Sequence, residues 1–246
     1  MNRRAVGVLG RLILAAVLLG AVSESRAEKP GKKAWKDAAE LGFTNITGNS
    51  RVAMFEAENL FNYAWKRVGL ELKAGALTSK EHGKTADEEY DASEKVTREL
   101  AGKLYGYEKF GWDRNHFAGI RDRYASFLGA GDELWSAGND SVVAETGVGY
   151  ISEERPDKTD GFASGRLYGK YVRALSKTAS FSQDVEYLHN FQDAGDYRLN
   201  TETALVASVS AKVSLKASYK WKKVEKPAPG FVRDDSITTV ALVVSY

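Results

Sequence analysis

The sequence predicts an all-β protein, a closed antiparallel up-and-down transmembrane β-barrel of about twelve strands. Two observations predict this fold class. In several segments apolar and polar residues alternate strictly, which is the pattern of a strand with one apolar and one polar face. After the first 27 residues, no apolar run reaches the roughly 20 residues of a membrane-spanning helix, so a chain of this kind would cross a membrane with strands.

The first 27 residues have the features of a secretory signal peptide. Arg3, Arg4 and Arg11 are basic, residues 12–22 are apolar, and the segment 25–27 offers small residues for cleavage. The apolar part is too short for a membrane anchor. We therefore expect residues 1–27 to be a signal peptide and residues 28–246 to be one barrel domain in the outer membrane of a Gram-negative bacterium.

The composition argues against two other classes of protein. The formal net charge is +2, and the predicted leader holds four arginines and one glutamate, so the rest of the chain is near neutrality and a nucleic-acid partner is not expected. The chain has no cysteine, which excludes a lipoprotein anchor and disulfides. The mean hydropathy of −0.38 is compatible with a barrel, because only every second strand residue must be apolar.

The clearest alternation lies in the C-terminal third of the chain. Between residues 213 and 221 the odd positions are apolar or aromatic and the even positions are lysine or serine, and residues 238–246 repeat the pattern. Residues 68–76 show it nearer the N-terminus. The residues predicted to face lipid are Val68, Leu70, Leu72, Val213, Leu215, Ala217, Val240, Leu242 and Val244.

Twelve candidate strands account for most of the chain, an even number as is typical of bacterial barrels. They cover residues 37–47, 51–65, 67–78, 88–100, 103–110, 119–130, 139–151, 161–174, 178–189, 196–209, 211–223 and 235–246. Every second connection is short, the longest being 134–138. The intervening connections are longer and polar, except the first, at 48–50; they are 79–87, 111–118, 152–160, 190–195 and 225–234. Short periplasmic turns and longer external loops are typical of outer-membrane barrels.

Two segments fit this scheme less well. Residues 51–72 also place Met54, Ala57 and Phe61 on one stripe of a helix, and as a strand they put Asn59 in the apolar row. In residues 88–100, Glu94 shares a face with apolar residues. The sequence leaves both segments ambiguous.

Alternation alone does not say which face points outward. A soluble periplasmic ligand-binding barrel buries its apolar rows, whereas a membrane barrel turns them to lipid. The number of strands, the alternating loop lengths and the aromatic residues near strand ends favour the membrane. The predicted interfacial aromatic residues are Tyr63, Trp65, Tyr150, Tyr219, Trp221 and Tyr246. The predicted partners are the outer-membrane bilayer and, through the last strand ending at Tyr246, the barrel-assembly machinery.

Several motifs, in this order, resemble the family of salt-induced outer-membrane proteins, domain of unknown function 481, YdiY-like. They are Trp35 with residues 40–43, the Thr-Gly-Asn-Ser of 47–50, the Gly-Val-Gly-Tyr of 147–150, residues 203–205 and 215–219, the Pro-Ala-Pro-Gly of 227–230, and the last strand 238–246. Ile46 and Ile151 depart from the family pattern. The resemblance implies an outer-membrane barrel linked to osmotic or salt stress, and it carries over no catalytic residue.

The polar faces predict a charged lumen. The residues expected there are Glu56, Glu58, Glu71, Lys73, Asp184, Glu186, Arg198, Glu202, Lys212, Lys216 and Lys220. Twelve strands lie between barrels with filled interiors and open porins, so both a plugged structural barrel and a small-solute porin are possible, and we favour the filled lumen.

An enzyme is the least favoured function. His189 with a nearby serine and Asp193 is the only combination that suggests an outer-membrane lipid hydrolase, and a solvated loop histidine explains it better. His82 and His116 fall in predicted loops. We predict no catalytic residue, no metal site and no cofactor.

Overall fold

The computed structural model describes residues 34–46, 52–81 and 84–246. The predicted leader 1–27, the predicted loop 48–50 and His82 lie outside these residues. The described residues form twelve strands. They are β1 (Trp35–Ile46), β2 (Val52–Trp65), β3 (Val68–Glu81), β4 (Lys84–Ala101), β5 (Leu104–Asn115), β6 (Ile120–Ala137), β7 (Asp140–Glu154), β8 (Thr159–Ala174), β9 (Ala179–Asn190), β10 (Tyr197–Ser208), β11 (Val213–Val224) and β12 (Asp234–Ser245).

Each strand pairs antiparallel with its neighbours in sequence, and β1 pairs with β12 to close the ring. In the closing pair, Leu41 lies opposite Leu242. Closure satisfies the backbone groups of both terminal strands, which an open sheet would leave at an edge. The prediction of an all-β, closed antiparallel barrel of about twelve strands is confirmed. In the described part of the chain, the one helix is the 3-10 turn His116–Ala118, and no helix there is long and apolar enough to cross a membrane.

The two ambiguous segments are strands. Residues 52–65 and 68–81 form a hairpin through Lys66 and Arg67, so the helical alternative for 51–72 is wrong. Asn59 does lie on the apolar outer face, where its amide donates to Asp37 Oδ1 at 2.9 Å. Glu94 also lies on that face, opposite Leu72 of β3 and Phe110 of β5. Local helix propensity is therefore overridden by pairing with neighbouring strands.

The connections differ from the predicted ones. At one end of the barrel, the turn end, they are residues 66–67, 102–103, 138–139, 175–178 and 209–212. At the other, the loop end, the described connections are residues 116–119, 155–158, 191–196 and 225–233. The predicted long loops 79–87 and 111–118 are in the right places but too long, because strand pairing continues to Glu81, resumes at Lys84 and reaches Asn115. Strand β6 likewise runs to Ala137, through most of the predicted turn 134–138.

The apolar rows lie on the outside of the barrel. Leu215, Val240 and Leu242 are 47%, 60% and 44% exposed, and they are cross-strand neighbours on one outer surface. A soluble ligand-binding barrel would bury such rows, so that alternative is excluded. Among the described residues, the interior is mainly polar and also holds an apolar cluster, formed by Tyr107, Phe127, Ile151, Phe162 and Leu188 of β5 to β9.

Candidate functional site in the barrel lumen

The lumen collects the charged side chains of nearly every strand. Of the residues predicted to line the lumen, those on strands all lie on the inner face of the barrel. This is the face that carries the buried residues Glu56, Arg198 and Ser218. Lys212 is the exception. It lies in the turn 209–212, is exposed, and holds its ammonium 5.7 Å from the centre of the Tyr246 ring, so it does not line the lumen.

The first group of inward charges, the lysine cluster, consists of Lys73, Lys216 and Lys220 with the carboxylates Glu40, Glu56, Glu58 and Glu202. Lys216 of β11 is 2.9 Å from Glu40 of β1 and 2.8 Å from Glu202 of β10. Lys220 pairs with Glu56 and Glu58 of β2, although β1 and β12 lie between β2 and β11. These side chains therefore bridge the inside of the barrel.

One further ion pair joins more distant walls. Lys222 of β11 pairs with Glu89 of β4, and four strands separate them by the shorter way round the ring. The same Glu89 accepts a hydrogen bond of 3.1 Å from Asn115 of β5. A contact between strands so far apart is possible only through the lumen, so the two side chains cross it.

The second group, the tyrosine cluster, consists of Lys95, Tyr105, Tyr107, Glu145 and Arg166. Glu145 of β7 accepts hydrogen bonds from Lys95, from Tyr105 at 2.6 Å and from Arg166 at 2.8 Å. Arg166 of β8 also donates to the Tyr107 hydroxyl at 3.0 Å. The carboxylate is thus held by one lysine, one arginine and one hydroxyl, which satisfies a group that would be costly to bury alone.

Glu186 of β9 extends this cluster to a further wall. It accepts from Arg166 at 2.7 Å and from Lys109 of β5 at 3.2 Å. Strands β6, β7 and β8 lie between β5 and β9. The tyrosine cluster therefore spans the half of the barrel opposite the lysine cluster.

The third group, the arginine cluster, lies near the loop end and consists of Glu153, Arg123, Arg155 and Arg198. The Glu153 side chain is 1% exposed and pairs with Arg155, with Arg198 at 2.9 Å and with Arg123 at 3.7 Å. Arg123 also binds Asp113 at 2.8 Å. One buried carboxylate therefore holds three guanidinium groups from β6, β10 and the connection after β7.

Neither the tyrosines nor the glycines that shape this interior were predicted from the sequence. The Tyr107 ring lies over two glycines on neighbouring strands, where an added Cβ would be 2.7 Å from the ring at Gly129 and 2.5 Å from the hydroxyl at Gly147. Glycine leaves the space that the ring fills. The only sequence signal is that Gly129, Gly131, Gly147 and Gly149 share one parity on two adjacent strands.

The histidine and acidic residues weighed as a hydrolase site are not brought together. His189 lies on the outer face of β9, with its ring stacked on Tyr187 and edge-on to Phe191. Asp193 instead pairs with Lys226, and that hydrogen bond lowers the pKa of the Asp193 carboxyl. Within residues 34–46, 52–81 and 84–246, no group of three or more His, Asp or Glu is arranged to hold a metal ion.

The outer surface carries aromatic residues near both ends. Tyr63, Trp65 and Tyr246 are exposed at the turn end. Tyr150 and Tyr219 are exposed towards the loop end, and Trp221, on the same outer row of β11, is half-buried. All six predicted interfacial aromatics therefore lie outside the lumen.

Comparisons with known proteins agree with this architecture. The family model described as a protein of unknown function, DUF481, matches residues 39–246. No curated protein matches the chain. An outer membrane channel from Pseudomonas putida F1 is similar at a TM-score of 0.51 and 11% identity, over 92% of this chain and 100% of the other.

Two further solved structures are less similar. The NanC porin has a TM-score of 0.49 and 8% identity, over 85% and 97% of the two chains. The translocator domain of the autotransporter NalP from Neisseria meningitidis has a TM-score of 0.47 and 14% identity, over 88% and 89%. At 11% identity, the similarity to the Pseudomonas putida channel shows a shared fold and nothing about activity.

Proposed function

We propose that this chain, which belongs to the DUF481 family of proteins of unknown function, spans the bacterial outer membrane as a structural barrel and passes at most small solutes. One observation carries this proposal: ion pairs link non-adjacent strands through the lumen, with four strands between Lys222 and Glu89 and three between Lys109 and Glu186. A channel for larger solutes would need these pairs to separate.

The membrane location is supported by the outer surface. Exposed leucine and valine side chains form continuous rows there, and a soluble protein of this size rarely exposes so large an apolar area. Aromatic residues flank these rows towards both ends, as they do at the two interfaces of membrane barrels. The turn end is then periplasmic and the loop end external.

A closed lumen is supported by the energetics of its ion pairs. Each buried carboxylate in the three clusters has at least one cationic partner, and removing one partner of a buried pair typically costs about 3–5 kcal/mol. Opening a wide path would break several such pairs at once. We infer that these ion pairs keep the barrel rigid and its lumen closed, so that little solute passes through it.

A small-solute porin is the second candidate, and one observation favours it. A small cavity of about 20 Å³, partly open to solvent, lies beside Glu58, Asp91 and Lys220. Its charged lining suits ions and small polar solutes better than apolar ones. A narrow route for small solutes on this side of the lumen would pass these charged groups.

Conductance in planar bilayers tests the two candidates. We expect repeated insertions of the wild-type barrel to give no steps, or steps far smaller than those of open porins. The double variant Lys220→Ala, Lys222→Ala should give larger steps, because it removes the cations that bridge β11 to β2 and β4. Lys223→Ala is the matched control, since Lys223 lies on the outer face and pairs with Glu225. Large wild-type steps would overturn the closed barrel and favour the porin.

The location has a separate test. The mature protein should sediment with outer-membrane fragments and migrate differently on a gel before and after heating, as folded barrels do. A soluble periplasmic fraction would contradict the location.

We also propose that the barrel-assembly machinery recognises the last strand through its terminal Tyr246, so Tyr246→Ser should lower the amount of folded barrel in cells.

The stress role is proposed from the family resemblance. If the barrel supports the envelope under osmotic or salt stress, cells lacking the gene should lose viability in high salt and regain it when the wild-type gene is restored. Equal survival of both strains at high and low salt would contradict this role.

We do not propose an enzymatic activity, and this too can be tested. The His189 ring is engaged by Tyr187 and Phe191, and Asp193 by Lys226, which leaves no assembled triad around His189. Incubation of the purified barrel with lipopolysaccharide should leave its acyl chains unchanged. Acyl-chain release by the wild type that is lost in His189→Ala would establish a hydrolase instead.

A further inference from the structure

The connection between β11 and β12, residues 225–233, reaches across the loop end of the barrel. Its Phe231 ring lies over Gly119, where an added Cβ would be 2.5 Å from the ring. Gly119 belongs to the connection between β5 and β6, which is on the opposite side of the ring from β11 and β12. A loop that starts at one wall and contacts the other must pass over the mouth.

Two polar contacts hold the same loop to other connections. Arg155, after β7, donates from Nη1 to the Lys226 carbonyl at 2.8 Å. The Lys226 ammonium pairs with Asp193, in the connection between β9 and β10. Together with Phe231 on Gly119, these contacts attach residues 225–233 to three of the other connections at this end.

Burial shows that the loop points inward at its centre. Ala228 is 2% exposed, whereas its neighbour Pro229 is exposed. A turn closes beneath it, with the Phe231 amide donating to the Ala228 carbonyl at 3.1 Å and Gly230 at a φ of +88°. Ala118 and Ile120, beside the Phe231 contact, are also buried. An external loop that projected into solvent would leave all of these residues exposed.

Arg155 connects the loop to the lumen. Besides the Lys226 carbonyl, it pairs with Glu153, which in turn binds Arg198 and Arg123. The guanidinium therefore belongs both to the arginine cluster and to the contacts of the loop. A change in the arginine cluster therefore alters the contact between Arg155 and the loop, and a change in the loop alters the contact between Arg155 and the cluster.

From these contacts we propose that residues 225–233 are a lid that closes the external mouth of the lumen, and that Arg155 is the latch that holds it shut. The lid is distinct from the ion pairs of the lysine and tyrosine clusters, which lie deeper. This inference rests on the proposed function only in taking the loop end as the external, water-exposed end. Opening of the lid controls the access of solutes from outside to the lumen.

A single introduced cysteine reports whether the lid is closed, because the chain has no cysteine of its own. In the full-length folded barrel, Ala228→Cys should react with a membrane-impermeant maleimide at least about tenfold more slowly than Pro229→Cys, since it reacts only during local opening. Pro229→Cys is the matched control, one residue away and exposed. Equal rates at the two positions, in a barrel that still shifts on heating, would overturn the lid.

The latch is tested by adding Arg155→Gln to each cysteine variant. Labelling of Ala228→Cys should then become several-fold faster, while labelling of Pro229→Cys stays unchanged. Phe231→Ala provides a second route to an open lid, in case Arg155→Gln prevents folding. No acceleration by either change would overturn the latch and the lid contacts. If the wild-type protein showed no heat-dependent migration, that result would instead count against the proposed barrel in the membrane.

Discussion

Glu153 on β7 accepts a hydrogen bond of 2.9 Å from Arg198 on β10, although β8 and β9 separate these strands in the wall. Both side chains are almost wholly buried, and Arg123 and Arg155 share the same carboxylate. The contact is made through the lumen. It shows that the interior is a bonded structure that ties non-adjacent strands together.

Replacing the shared carboxylate should therefore destabilise the barrel strongly. We expect Glu153→Gln to lower the free energy of unfolding by about 3–5 kcal/mol, because three guanidinium groups lose the charge that compensates them. Urea titration of the barrel folded in lipid vesicles measures this. Glu154→Gln is the control, since Glu154 is exposed and makes only a long contact of 3.8 Å with the exposed Arg121. The stability of this variant should stay within about 0.5 kcal/mol of the wild type.

A charge exchange tests the contact that crosses the lumen between β11 and β4. Lys222→Glu brings a second carboxylate to Glu89 and should lower stability, whereas adding Glu89→Lys to the same chain should recover most of the loss. We expect a coupling energy of about 1–3 kcal/mol from the four proteins of the double-mutant cycle. Additive effects would mean that these two side chains do not meet.

The orientation of the apolar rows predicts where a charge is tolerated. Val240→Arg, on the outer face of β12, should cost about 2–4 kcal/mol and reduce the yield of folded barrel, because lipid cannot solvate the guanidinium. Val209→Arg is the matched control. The Val209 side chain is 67% exposed, against 60% for Val240, but it lies in the turn before β11. Equal tolerance at the two positions would argue that the outer face does not contact lipid.

The packing of Tyr107 on glycine predicts a third kind of defect. Gly147→Ala places a methyl group about 2.5 Å from the Tyr107 hydroxyl and 2.8 Å from the Leu128 carbonyl, so we expect a loss of about 1–3 kcal/mol. Gly111→Ala, also on the inward face, meets nothing closer than 3.9 Å and should be nearly neutral. The ratio of folded to unfolded bands on an unheated gel, over a range of urea concentrations, distinguishes the two.

The strands were predictable because the signal that marks them is local. The alternation at Val213 to Trp221 lies in one segment, and the structure places its apolar residues on one outer face, opposite the matching rows of β10 and β12. The aromatics at strand ends and the even number of strands needed no tertiary information either. The segment 52–65 was harder, because Asn59 interrupts its row and its composition also suits a helix.

The ends of the strands and the loops were less predictable. Polarity made residues 79–87 and 111–118 resemble loops, yet an external part of a strand can be polar on both faces while its backbone continues to pair. The lid has no periodicity at all, and its proline and glycine indicate only a turn. The glycines beneath Tyr107 became meaningful only when two strands were placed side by side.

The sequence by itself determined the type of element, the number of strands and which residues share each face, because a strand repeats every two residues along one stretch of chain. Only the tertiary structure decided that Lys222 meets Glu89, that three arginines share Glu153 and that Phe231 reaches Gly119. Those contacts depend on closure and on the stagger between strands, which bring together residues up to 133 positions apart in the sequence. Periodicity within a strand carries no record of what lies across the lumen.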